Sequence, residues 1–283
     1  MSFSKLKYER LDAHWAACWQ TPVELYCWIV LNTFQSISLV AVAVASSVGF
    51  LVVLQRLWPI EQRRLHNDLV GWNITVLGTI YAVIVGFMLY AVWTNLEMAN
   101  ANVEAEANCL VNVARSAQGL RVDKKNEALR LATGYVRVML IEEWAAMRAG
   151  RLAPESAQIT EQLWAMLTRM ETSSSSEQTS QDHAISELSC MTDHRRLRQL
   201  EVNEALPGIL WAVLILGAAV TIVSACLFGS SNFRLHLAQV IALSFVISLV
   251  LVAIADINRP FQGSVHVQPL AFERARDALA QLK

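Results

Sequence analysis

Along most of the chain polar and apolar positions alternate, but four stretches lose nearly all their polar positions. They lie at about 28–54, 70–93, 207–228 and 235–257. Each holds 20 or so residues, enough as helix to cross a ~30 Å hydrocarbon layer. Trp72 and Trp93 bracket the second stretch, roughly 31 Å apart at 1.5 Å per helical residue. Indole rings prefer the headgroup level, so this spacing predicts a full crossing. Trp28, Trp58 and Trp211 fall at other expected boundaries. The connections at about 55–69 and 229–234 are short. The spans are therefore expected to pair as two transmembrane hairpins. The N-terminus, the segment 94–206 and the tail would then share one side.

Between the hairpins the apolar positions recur every three or four residues, as on one face of a helix. Leu96, Val103, Ala107, Leu110, Ala114 and Ala117 form such a stripe, and no breaker occurs between Gly86 and Gly119. The second span is thus predicted to continue out of the membrane as one helix of about 50 residues. A second helix fits about 123–149, with Leu129, Ala132, Val136, Leu140 and Trp144 on one face and Gly150 as its stop. A third begins at Pro154, with Ile159, Leu163, Met166 and Met170 inward. The run TSSSSEQTSQ (172–181) reads as a flexible linker. A fourth helix runs from about 182 towards Pro207. The expected fold is an all-α polytopic membrane protein. It comprises an amphipathic segment (1–27), hairpin one (28–93), a soluble helical bundle (94–206), hairpin two (207–257) and a tail (258–283).

Composition agrees with a membrane protein. Of 283 residues, 54% are hydrophobic and 17% charged, with formal net charge −1. That balance argues against a nucleic-acid partner. The 5 cysteines show no CxxC spacing, and free thiols, buried or lipid-facing, are expected. Their odd number favours a reducing compartment for the bundle. No secretory signal pattern precedes the first span. Loop charges divide almost evenly. The short loops carry Arg56, Arg63, Arg64 and Arg234. Lys5, Lys7, Arg10, Arg195, Arg196, Arg198 and Arg259 lie near the membrane on the other side.

No catalytic signature is present, so no enzyme and no cofactor are expected. His14 and Cys18 share a helical face but lack further ligands, so no metal site is expected. Asp182–His183 and Asp193–His194 read as solvated surface. Glu142 and Glu143 are adjacent and would diverge on a helix, which disfavours a general acid/base pair. The basic run HRRLRQL (194–200) reads as a solvated or headgroup-facing surface.

The unusual chemistry lies in the spans. The second begins with His66, Asn67 and Asp68, and carries Asn73, Thr75, Gly78, Thr79, Ala82, Gly86 and Phe87. Small residues at such spacing let another backbone approach closely, or leave room for an ion path. Gln35, Ser36 and Ser38 give the first span a polar patch, as do Ser244 and Ser248 for the fourth. At the end of the fourth span, DINRPFQG places Asp256 at the interface with Arg259, Pro260 and Phe261 following. Pro260 cannot continue the helix, and a partner such as Arg259 would lower the cost of the carboxylate.

Together, HNDLVGWNITVLGTIYAVIVGFMLYAVW, the following VEAEAN, Tyr135, EEW (142–144), RRLR, LPGILW and DINRPFQG resemble a bacterial membrane family called bestrophin-like, from about Leu51 to Phe272. Kinship with bestrophins implies a homo-oligomeric channel, there a pentameric anion channel. It also implies two transmembrane hairpins around a cytosolic helical region, and a pore lined by the second spans. The resemblance thus places the bundle in the cytoplasm and the spans in a bacterial inner membrane. Lipid, small inorganic ions and further copies of the chain are the partners. No acidic ring lies mid-membrane, which favours anions over cations. The acidic cluster that clasps calcium after the last bestrophin span is missing, and Phe87 and Tyr90 are the candidates for an aromatic neck. A non-conducting scaffold or sensor, relaying partner binding through the long helix, is the competing expectation.

Overall fold

The computed structural model describes residues 33–282, and among them every regular element is helical. Four helices are long and apolar enough to cross a membrane. They are α1 (Thr33–Leu57), the first part of α3 (Asn67–Ser116), α8 (Gly208–Leu227) and α9 (Phe233–Ile257), with a short α2 (Ile60–Arg64) between the first two. The expected amphipathic segment 1–27, with His14, Cys18 and Trp28 near it, lies outside the described residues.

The remaining helices are α4 (Val122–Val138), α5 (Trp144–Arg148), α6 (Glu155–Arg169), α7 (Ser175–Glu201) and α10 (Leu270–Ala280). A π-helical turn, Met139–Glu143, joins α4 to α5, so the rod over 122–148 is continuous but locally widened. Gly150 ends it at φ +67, a left-handed stop in which a Cβ would be strained.

Helix α3 is 50 residues long and unbroken. Its stripe Leu96, Val103, Ala107, Leu110 and Ala114 is buried. That stripe packs above all on α7, while α4 pairs with α6, and α10 closes over α3 and α4. In the apolar region, first and fourth spans pack together, as do second and third. The spans joined by the short loop 58–66 make little contact with each other.

Two expectations need correction. The run 172–181 is not a linker, because α7 starts at Ser175. Ser174 Oγ accepts the Glu177 N–H at 3.1 Å, and Glu177 accepts the Ser173 N–H at 2.8 Å. This S-x-x-E cap, with Glu177 reaching back one residue beyond the N-cap to Ser173, fixes the first turn despite the serine-rich composition. The Ser173 bonds hold the Glu177 carboxyl below its ordinary range. Nor are the bundle cysteines free thiols. Cys109 on α3 and Cys190 on α7 form a disulfide across 81 residues, their Cα atoms 6.0 Å apart. Packing of α3 on α7 brings them together, which spacing along the chain could not reveal. Cys226 is free and buried.

Candidate conduction path and buried charge network

One face of the second span is fully committed. The Tyr81 ring lies against Gly217 on α8, leaving no room there for a Cβ, and its hydroxyl donates to the Leu214 carbonyl at 3.1 Å. Leu214 is itself buried, and Val92 lies on the same side of α3. The neighbouring face, centred about 100° round the helix, is not committed. At 100° per residue, Thr75, Gly78, Thr79, Ala82 and Gly86 fall within about 100° of one another. Thr75, Thr79, Ala82 and Gly86 are exposed, and a Cβ added at Gly71, Gly78 or Gly86 would meet nothing within 4 Å. Only 6% of the most apolar window of this helix is buried within the chain, the least of the four spans. Small residues on this face are therefore not there for packing within one chain.

The seven candidate lining residues do not all share that face. Asn73 is half-buried and sits nearly opposite, and Phe87, though exposed, is displaced by about 100° from Gly86. Thr75 Oγ donates to the Gly71 carbonyl at 2.9 Å and Thr79 Oγ to the Thr75 carbonyl at 2.7 Å. Both hydroxyls are satisfied within the helix, so they can face lipid, a neighbour or water without an orphaned proton. Beyond Trp93 the same face continues through Glu97, Asn100, Glu104 and Asn108, all exposed. Glu97 accepts the Trp93 indole N–H at 2.8 Å.

At the short-loop end, Asn67 locks the two loops together. Its Nδ2 donates to the Gly229 carbonyl at 2.9 Å, and its Oδ1 accepts the Gly229 N–H at 2.8 Å. Gly229 is required because a Cβ there would lie 2.7 Å from the Arg64 nitrogen. His66 stands at the N-cap of α3 and Asp68 in its first turn, both exposed. The acid suits the positive end of the helix dipole.

At the other end, Asp256 holds a turn. Its Oδ1 accepts the Ser264 N–H at 2.8 Å and its Oδ2 the Val265 N–H at 3.0 Å. This closes the chain around Gly263, at φ +80. Arg259 donates to Gln262 Oε1 at 3.2 Å, and the Pro260 carbonyl accepts from Val267 at 2.8 Å. Phe261 is buried with its ring edge-on to Trp144, 6.0 Å between centroids, and Phe272 packs on both Trp144 and Tyr135. Asn258 accepts the Leu206 N–H at 2.8 Å, tying the end of the fourth span to the approach of the third.

Sequence reasoning missed a buried charge network in the bundle. Arg198, read as surface, is wholly buried. Its Nε and Nη2 grip Glu106 at 2.6 and 3.1 Å, and Nη2 also reaches Glu143 Oε2 at 2.9 Å. Tyr135 donates to Glu106 at 2.5 Å. Glu143 is also held by Ser156, which accepts from Arg195 Nε at 3.1 Å. Burial, with Glu106 alongside, pushes the Tyr135 hydroxyl well above its usual range. Burial opposes the Arg198 charge, but Glu106 outweighs it and the guanidinium is driven up. Two carboxylates face two guanidiniums, so the cluster closes on charge neutrality. One signal could have found it. Ala184, Leu188 and Met191 are buried at helical spacing, and continuing that stripe by seven residues lands on Arg198.

Nearby, Asn102 Nδ2 donates to Glu201 Oε1 at 2.6 Å while its Oδ1 takes the Nδ1–H of His194 at 3.0 Å. Burial pushes the Glu201 carboxyl up to about 7, against the Asn102 hydrogen bond. A raised folded-state value means stability that is complete below the unfolded value near 4.5 and lost as pH rises through 7. Glu201→Gln is therefore expected to flatten the stability profile between pH 4.5 and 8, by on the order of 2–3 kcal/mol. Thermal melts of wild type and variant across that range check it, and parallel profiles would refute it.

Donor atoms of Cys109, Glu187 and Cys190 lie within 4.8 Å of one another, the one such group among the described residues. With the two sulfurs bonded to each other, their thiolates are not offered to a metal.

A sequence profile of the Bestrophin-like domain matches residues 41–272. The chain belongs to the Bestrophin-like family. The match spans the Asn67 lock, the open face of α3, the Arg198 network and the Asp256 turn. No curated protein matches the sequence. Among solved structures, a bacterial bestrophin homologue from Klebsiella pneumoniae carrying a point substitution is similar over 88% of this chain and 98% of its own. Its identity is 12% and its TM-score 0.65. A crystal structure described as that of a membrane protein is similar over 86% of this chain and 98% of its own, at 10% identity and TM-score 0.65. At these identities the likeness is one of fold. It extends over nearly the whole length of both neighbours.

Proposed function

We propose that several copies of this chain assemble in the bacterial inner membrane around a central path for small inorganic ions. The stripe Thr75, Gly78, Thr79, Ala82 and Gly86 of each α3 would line it. The observation that carries this reading is the open small-residue face: within one chain it packs against nothing. Small side chains and backbone dipoles leave space and weak coordination for ions. Phe87 falls on the flank of the stripe, and Asn73, nearly opposite, is left out of the path.

Anion conduction is supported by the bestrophin kinship and by the lack of any acid on the spanning stripe. Glu97 and Glu104, further along the same face, act in the opposite sense and would enrich cations at that mouth. Purified oligomer in liposomes under a potassium chloride gradient tests the reading. Ion flux is expected, with Glu97→Gln/Glu104→Gln shifting the reversal potential towards that of chloride. An intact oligomer that passes no small ion over a range of pH, voltage and calcium would leave the scaffold or sensor reading instead.

The same kinship supports two hairpins with the bundle in the cytoplasm. The Cys109–Cys190 bond sets a condition on that placement, because a reducing cytoplasm keeps thiols reduced. A reporter fused after residue 283 is expected to read cytoplasmic, with the Cys109–Cys190 pair reduced and trapped by alkylation in intact cells and bonded only after extraction into oxidising buffer. A periplasmic reporter with the bond retained would invert the topology.

A further inference from the structure

The described residues contain one buried cation with no counter-charge. Arg63, in the short loop between the first two spans, is 1% exposed. Its Nη1 donates to the Cys226 carbonyl at 3.1 Å, in the last turn of α8. Its Nε and Nη2 meet no hydrogen-bond partner, and no carboxylate of the described residues pairs with it. This contrasts with Arg198, whose every nitrogen is engaged and whose charge is matched.

Which two donors remain is informative. Nε–H and one N–H of Nη2 are the parallel pair on a guanidinium that meets two oxygens of a single carboxylate or phosphate. By spending Nη1 on the end of α8, the fold holds that fork in a fixed direction. Two other buried polar atoms left unpaired belong to His236, which bonds the same helix end, and to Gln55 on the first span. His236 gives one nitrogen to the Ala225 carbonyl at 3.0 Å, and its buried Nδ1 has no partner. Gln55 Nε2 is likewise buried and unpartnered, one turn beyond Leu51, which packs with Cys226. Of the five buried side-chain atoms without a partner among the described residues, two belong to the Arg63 fork.

A buried charge without a partner is costly, by far more than a neutral orphan. The two donors left over on the guanidinium fork specify an acceptor that carries negative charge. We propose that Arg63 binds a phosphate-type oxyanion at the short-loop end of the third span, with the Gln55 amide as a further donor. The Nε/Nη2 fork would take two of its oxygens. A phospholipid headgroup and free inorganic phosphate share that chemistry. The site does not depend on whether the protein conducts.

The test uses the full-length protein in detergent. After delipidation, inorganic phosphate is exchanged for chloride at constant ionic strength and thermal unfolding is followed. In parallel, native mass spectrometry of gently extracted protein counts retained phospholipid. A saturable rise in Tm with phosphate assigns the site to the free anion. Retained phospholipid that phosphate displaces assigns it to lipid. In either case Arg63→Lys, which keeps the charge but loses the fork, should abolish the effect. If Arg63→Lys does not assemble, Gln55→Met should weaken half-saturation several-fold. Wild type that shows neither saturable stabilisation nor retained lipid overturns the proposal. So does a response unchanged in the variants, or an oligomer structure with a neighbour's carboxylate or only water on the fork.

Discussion

Replacing Arg198 with methionine is expected to destabilise the bundle by about 3–5 kcal/mol, because Glu106 and Glu143 would remain buried with one distant guanidinium to balance them. The side chain is similar in length, so lost volume is a minor part of the effect. Converting the carboxylates as well, as Arg198→Met/Glu106→Gln/Glu143→Gln, should recover much of the loss, since the cost lies in stranded charge. Denaturant unfolding of the purified protein, followed by helical signal, measures both. A single variant within 1 kcal/mol of wild type would mean that water or rearrangement relieves the carboxylates. The pieces VEAEAN, Tyr135, EEW and RRLR supply Glu106, Tyr135, Glu143 and Arg198, so the scattered family motif converges on one buried cluster.

Leucine at Gly78 or Gly86 is expected to preserve folding and assembly yet abolish ion flux. Leucine at Gly217 should instead destabilise the fold. Around the first two glycines nothing lies within 4 Å of an added Cβ, whereas at Gly217 the Tyr81 ring stands 2.5 Å away. Overpacking against that ring costs roughly 1–3 kcal/mol and would also displace the Tyr81 hydroxyl from the Leu214 carbonyl. Size-exclusion mass, melting temperature and liposome flux, measured on the three variants together, separate lining from packing. Should Gly78→Leu and Gly86→Leu conduct as wild type does, the path lies elsewhere. Loss of assembly in both would instead make the face a contact between copies.

Much of this was legible because helices write their burial at a fixed period. The stripe from Leu96 to Ala114 marked α3 beyond its apolar segment, and Leu129, Ala132 and Val136 marked α4. The left-handed stop at Gly150 followed from the same logic. What stayed hidden depends on contacts between distant segments. Asn67 and Gly229 are 162 residues apart, and nothing local says that one amide will pair with both backbone groups of the other. Arg198 looked like its neighbours Arg195 and Arg196 because composition was weighed before register. The serine run before Glu177 hid a capping box for the same reason. For the open face of α3, the sequence marked small residues but could not say whether the chain itself would cover them.

The unbroken course of α3 has a mechanical consequence. At 1.5 Å per residue, 50 residues make a rod of roughly 75 Å, with less than half of it needed to cross the hydrocarbon. With no proline or glycine between Phe87 and Ser116, that rod has no hinge to absorb a rotation. A tilt of about 5° at the membrane end would sweep the far end sideways by roughly 6 Å over that length. Displacement at one end is thus multiplied at the other, and the packing of α7 along α3 compels α7 to travel with it.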